Sequence, residues 1–167
     1  MIYVTVGVSQ GFERLVRKAD NIAATHQEEF LIQTGDTNYQ PKYADSVDIL
    51  PPNRHEKFFR DASVVVGHAG TGTFLTALDN DVRLVLFPRN PELDEVYDDH
   101  QQNHVDGWSN SIDLTIASTT EELATILSAP KDVPQIRREI SGELQDNIGM
   151  IVQKEAEERQ LPFSFRF

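Results

Sequence analysis

Ser63-Val-Val-Val-Gly-His-Ala-Gly-Thr-Gly-Thr-Phe-Leu-Thr-Ala-Leu78 reads as a buried strand that breaks into a glycine-rich turn and then opens a helix. The order matters because the first N–H groups of a helix have no intrahelical acceptor and carry the positive end of its dipole. An anion placed there is stabilised without Lys or Arg. Gly70 and Gly72 lack a Cβ and let a ligand approach the main chain, while the hydroxyls of Thr71 and Thr73 add donors. His68 stands at the carboxyl end of the strand, where open α/β sheets bind ligands. The reading expects the amides of 69–74 to converge on a pocket that holds a pyrophosphate. The alternative is a turn that only reverses the chain.

Two familiar phosphate motifs fail on this stretch. Gly67 and Gly72 have the spacing of the Walker A glycines, but Thr73-Phe74 stands where Lys-Ser/Thr is needed to grip the β- and γ-phosphates. The run from Gly70 starts like the dinucleotide fingerprint, yet it lacks the third glycine and follows a late strand instead of the first. A nucleotide triphosphatase and a nicotinamide or flavin enzyme are both disfavoured.

Outward from this turn, strand-like runs lie at 2–6, 30–34, 47–50, 63–67, 83–87 and 112–116. Helical patterns lie at 11–26, 54–61, 73–80, 99–109 and 120–128. The first run, Ile2–Val6, is apolar without alternation, as a strand buried on both faces must be. Strands alternating with helices indicate an α/β domain with a parallel sheet and right-handed crossovers. Residues 1–130 form the ligand-binding domain in this reading. Residues 131–167 form a C-terminal helix, with Ile136, Ile140, Leu144, Ile148, Ile151 and Val152 as its apolar stripe, and a tail carrying Phe163, Phe165 and Phe167. That tail either folds back on its own domain or docks a partner.

The chain has 167 residues, 39% of them apolar, enough for one domain with a real core. Its net charge of −12 lacks the clustered cations of a nucleic-acid binder, though a small phosphate ligand remains compatible. With no Cys there is no disulfide framework and no thiolate metal site. No apolar run approaches the roughly 20 residues needed to span a bilayer, so a cytoplasmic protein is expected.

The phrase GHAGTGTFLTAL, with the earlier MIYVTVG and FERLV, the middle LPPNRHEKFFRDASVVV and the later DDHQ, resembles the C-terminal domain of glycosyltransferase family 28. The pieces fall within residues 1–128, in the order and spacing of the small free-standing members: the catalytic subunit of the N-glycan UDP-GlcNAc transferase and bacterial exopolysaccharide transferase subunits. The resemblance implies a Rossmann-like domain that is the C-terminal half of a GT-B fold, which binds a UDP-sugar and transfers the sugar with inversion to a lipid-linked or polysaccharide acceptor. It also implies a membrane-associated, acceptor-binding partner subunit that holds the chain at the cytoplasmic membrane face. No metal or cofactor is implied. By position His68, Gly70, Thr71, Gly72 and Thr73 line the donor diphosphate, and His68 is the local candidate for the general base. Thr76 stands where related enzymes carry a ribose-binding Glu; one hydroxyl cannot clasp two as a carboxylate does. Asp81 and Arg83 replace the usual Gly and Pro. His100 and Gln101 match the polar pair facing the donor sugar, Arg89 is placed to balance phosphate charge, and Gly7 and Ser9 lie at the cleft, beside a Val8 that replaces the usual Thr. These departures leave a second possibility, a non-catalytic nucleotide-sugar-binding or scaffold subunit.

Other constellations read more plainly. His100 and His104 share a helix face, but two histidines without a placed third ligand do not make a zinc site. Glu13 and Arg14 read as an exposed charged pair, His26 and His55 as solvated, Trp108 as partial core, and the acidic loop 88–95 as solvated, a lid or a partner surface.

Overall fold

The computed structural model describes residues 1–8, 10–96, 100–109 and 112–136. Among the described residues six strands form one sheet: β1 (Ile2–Thr5), β2 (Phe30–Gln33), β3 (Asp45–Val47), β4 (Val64–Gly67), β5 (Leu84–Leu86) and β6 (Thr115–Ile116). Their order is β3-β2-β1-β4-β5-β6 and every pair is parallel. The helices are α1 (Glu13–Ala23), α2 (Pro52–Asp61), α3 (Thr71–Asp79), α4 (His100–Ser109) and α5 (Thr120–Leu127). This is the parallel α/β architecture expected from the alternation of elements, and it is Rossmann-like, as the resemblance implies.

The sheet forms here because β1 and β4 are β-branched or aromatic at nearly every position and buried throughout, which suits strands covered by helices on both faces. Ile2 lies opposite both Phe30 and Val64, so one row of side chains crosses the sheet centre. α1 turns Leu15, Val16 and Ala19 onto that row. α5 starts at a capping box, in which the Thr119 hydroxyl accepts from the Glu122 amide and the Glu122 carboxylate accepts from the Thr119 amide.

Several sequence expectations change. The third strand ends at Val47, before the expected 47–50, because the Leu50 amide is taken by Gln33 Oε1 and two prolines follow. Trp108 is full core, 2% exposed and stacked on Phe74 with ring centroids 4.0 Å apart. Residues 134–136 are extended: Gln135 pairs antiparallel with Arg83, and the Ile136 amide donates to Val82 O at 3.0 Å. Ile136 is therefore a buried core residue and does not open a helical stripe. The compact unit runs from Met1 to Arg137. The rest of the expected helix and the three tail phenylalanines lie outside the described residues. Among the described residues no helix is long and apolar enough to cross a membrane.

Candidate functional site

The chain leaves β1 toward β2 on one side, while β4, the other neighbour of β1, leads on to β5 and β6. Such a reversal opens a crevice beyond the carboxyl ends of the two central strands. Gly7, with φ of 81°, follows β1, and His68-Ala69-Gly70 follows β4, so both turns meet at that crevice. The His68 ring fills the space between them. A Cβ on Gly7 would lie 2.8 Å from Cε1 of the ring, and one on Gly70 would overlap Nε2. Gly70 thus makes room for an imidazole, a need that the sequence reading attributed to a ligand. Gly72 is different: nothing lies within 4 Å of where its Cβ would be.

The amides of the turn divide into two sets. Gly70 N–H donates to His68 O at 2.8 Å and Phe74 N–H to Gly70 O at 3.1 Å, so these two are used within the chain. Gly72 and Thr73 are the second and third residues of α3 and have no main-chain acceptor among the described residues, while Gly70 caps the helix without a side-chain bond. Thr73 is buried over Gly67, and its Oγ1 lies 3.3 Å from Nδ1 of His68. Burial first, and then the positive charge of Arg89, pull the His68 pKa down to about 4, against a main-chain bond with Thr5 that raises it. The ring is neutral at pH 7. Thr76, expected near a ribose, sends its hydroxyl to the Gly72 carbonyl at 2.8 Å on its own helix.

Arg89 is turned inward. Its guanidinium donates to the carbonyls of Val6 (3.1 Å), Gln10 (2.9 Å), Gly11 (2.5 Å) and Glu95 (3.4 Å), and the residue is 4% exposed. In place of the expected phosphate contact it sews the turn after β1 to the loop after β5. Its charge persists, since burial brings its pKa down only to about 10, with Glu95 opposing the fall. The main-chain amide of Arg89 donates to Gln101 Oε1 at 3.2 Å, which ties the start of α4 to the same loop. Arg14, read as exposed, instead forms a two-pronged pair with Glu95, both contacts 2.7 Å, and lies over the Phe87 ring. The loop 88–95 is consequently anchored. His100 is the first residue of α4, and Ser9 lies outside the described residues.

His26 and His55, expected to be solvated, are also tied down. His26 Nε2 is 2.9 Å from Leu127 O, and His55 Nδ1 is 2.7 Å from the Tyr3 hydroxyl. Among the described residues no group of three His, Cys, Asp or Glu is placed to hold a metal. Sequence reasoning missed Gln33, whose amide nitrogen reaches Thr5 Oγ1 (3.2 Å) and Gly7 O (3.4 Å) and steadies the turn after β1. A glutamine inside an otherwise apolar strand run was the available signal. A cleft of about 880 Å³ opens between α1 and α5, beside the amino ends of the strands and away from this crevice.

Residues 1–127 match the model of the glycosyltransferase family 28 C-terminal domain. The chain belongs to that family. No curated protein sequence is detectably similar to it. Among solved structures it is similar to MurG of Acinetobacter baumannii, with 15% identity and a TM-score of 0.54, covering 90% of this chain and 49% of that one. It is similar to the glycosyltransferase VinC in complex with DTDP, with 15% identity and a TM-score of 0.51, covering 93% and 37%. A molybdenum cofactor binding protein from Rippkaea orientalis is also similar, with 17% identity and a TM-score of 0.51, covering 77% and 94%. At these identities the likeness concerns the fold. The chain spans less than half the length of MurG and of VinC.

Proposed function

We propose that this chain is the donor-binding half of an inverting glycosyltransferase, working on a UDP-sugar such as UDP-GlcNAc and completed by a second, acceptor-binding half. The observation that carries the reading is the opening turn of α3 at the central crevice, with Gly72 facing open space and the Gly72 and Thr73 amides lacking main-chain acceptors among the described residues, in a chain that matches the family over 1–127. The likeness to VinC, solved in complex with DTDP, supports a nucleoside diphosphate there.

In the proposed reaction the acceptor hydroxyl oxygen attacks the anomeric carbon and the bond from that carbon to the diphosphate breaks. The acceptor proton passes to a general base, and UDP leaves with the bonding electrons. The helix start and the nearby buried charge of Arg89 stabilise the negative charge that develops on the leaving diphosphate. His68 is the proton-transfer candidate within this chain, but a pKa of about 4 makes it a weak acceptor at neutral pH. We therefore give His68 the diphosphate side of the site, through Thr73, and give the base to the other half. Gly7, Ser9, His100 and Gln101 remain the proposed sugar-facing and cleft-facing positions. The acceptor is lipid-linked or a polysaccharide, and the partner half holds the chain at the cytoplasmic face of the membrane. No metal or cofactor enters the reaction.

Titration calorimetry with UDP and UDP-sugars tests this. Gly72→Val puts a side chain into the open space without meeting the fold, so binding should fall roughly tenfold or more while stability barely changes. Equal binding by both forms removes the helix start from the site. The Thr76 hydroxyl, bonded to the Gly72 carbonyl of its own helix, favours a second reading, a donor-binding or scaffold subunit without transfer. Donor binding with no sugar transfer in the reconstituted complex selects it.

A further inference from the structure

We propose that Gln33 is a positioning residue for the donor diphosphate: from the far side of β1 it fixes the His68 ring and, with it, the start of α3. The inference rests on the donor-half reading above and names what holds that site in shape. Gln33 ends β2 and is 1% exposed, in a strand whose other residues are Phe30, Leu31 and Ile32. An apolar side chain would serve burial there, and a buried amide is costly unless it is hydrogen-bonded. Both ends of this amide are bonded. Nε2 donates to Thr5 Oγ1 (3.2 Å) and to Gly7 O (3.4 Å), while Oε1 accepts from the Leu50 amide (3.0 Å) and faces the Tyr3 hydroxyl (3.5 Å).

Two routes lead from this amide to the site. The first runs through the main chain after β1. Gly7, whose carbonyl Gln33 holds, stands so close to the His68 ring that a Cβ on it would lie 2.8 Å from Cε1. The second crosses the sheet. Gln33, Thr5 and Gly67 are register partners in one row, Thr73 is packed over Gly67, and the Thr73 hydroxyl lies 3.3 Å from His68 Nδ1. The Thr5 hydroxyl that Gln33 engages also accepts from the Gly7 amide at 3.3 Å, which joins the two routes. A shift of Gln33 therefore moves His68 and Thr73 together, and Thr73 carries one of the two α3 amides offered to the diphosphate. Behind it, the Tyr3 hydroxyl is itself held by His55 Nδ1 of α2 at 2.7 Å.

Gln33→Met keeps the volume and removes the bonds. In UDP titrations it should weaken binding roughly tenfold or more, the usual penalty for a site displaced by a fraction of an ångström. In NMR spectra the His68 midpoint should rise from about 4 toward 6.5 as water reaches the ring. The control is Asp20→Asn, which breaks a buried cluster between α1 and residues 39–44 and should leave both readouts unchanged. Gln33→Glu adds a signature that general loosening does not give, because its carboxylate cannot donate to Gly7 O and its protonated form can. Its UDP affinity relative to wild type should be lowest near about pH 7.5 and recover several-fold near about pH 5.5, where a buried carboxyl is protonated. Comparison with wild type at each pH accounts for His55, which faces the same network through Tyr3. Either readout left at its wild-type value in Gln33→Met overturns the proposal. If Gln33→Met does not fold, Gln33→Glu decides, and an affinity ratio independent of pH overturns it. Absence of UDP binding by the unmodified chain sinks the donor reading instead, while the His68 midpoint in Gln33→Met still reports the link from Gln33, so the two failures are separable.

Discussion

The ring of His68 occupies the place where a Cβ of Gly70 would stand. Two glycines, Gly7 and Gly70, thus bracket one imidazole at the meeting of β1 and β4. Overpacking at such a site costs about 1–3 kcal/mol. Gly70→Ala should therefore lower the unfolding free energy by about that amount, measured in urea. In a His68→Ala background the same change should cost much less, giving a coupling of about 1 kcal/mol or more. Additive effects would show that the ring and the glycine do not meet.

The depressed pKa of His68 makes stability depend on pH in a defined direction. Between about 4, its folded value, and 6.5, its ordinary value, the unfolded chain binds a proton that the folded chain does not, so stability rises with pH across that window. The contribution is complete above 6.5 and is lost as pH falls toward 4, by up to about 1.4 kcal/mol per pH unit. His68→Gln should flatten the slope in that window. The His68 ring protons should titrate in NMR spectra near the lower value; a midpoint near 6.5 contradicts the enclosure of the ring.

Asp20 is fully buried and holds the segment before β3. Its carboxylate accepts from the Tyr39 hydroxyl (2.6 Å) and from the amides of Lys42 (2.9 Å), Tyr43 (2.8 Å) and Ala44 (3.0 Å). Burial alone raises the pKa, but these bonds outweigh it and hold it below the ordinary value. Asp20→Ala should cost about 2–4 kcal/mol and speed hydrogen exchange at Lys42, Tyr43 and Ala44. Asp20→Asn should recover little, because its NH2 group would face donors. Unchanged exchange at those amides would rule the arrangement out.

Arg14 and Glu95 meet across 81 positions of sequence, and Glu95 also accepts from the Asn90 amide at 2.8 Å. Arg14→Met should leave that carboxylate underpaired, destabilising the loop by about 1–3 kcal/mol and exposing 90–95 to limited proteolysis. Adding Glu95→Gln should restore part of the protection. Equal cleavage of wild type and Arg14→Met would mean that the pair does not hold the loop.

Local patterns settled a large share of this molecule. The apolar runs at 2–6 and 63–67 and the helical spacing of Leu15, Val16 and Ala19 specify a parallel sheet with packed helices, because burial of a strand or a helix face is written into neighbouring positions. The Gly70–Thr73 turn likewise announced a helix start at a strand end. Partners distant in the chain were not legible. Nothing near Arg89 indicates that its guanidinium faces the carbonyls of Val6, Gln10 and Gly11, nothing near Arg14 indicates Glu95, and the spacing of Ile136 suggested a helix where a bridge to Arg83 forms an extended segment. Sequence periodicity reports which face of an element is buried. Which buried or charged groups then meet is decided by how the elements pack, and that is why the fold was readable while the direction of each arginine and the enclosure of His68 came only with the tertiary structure.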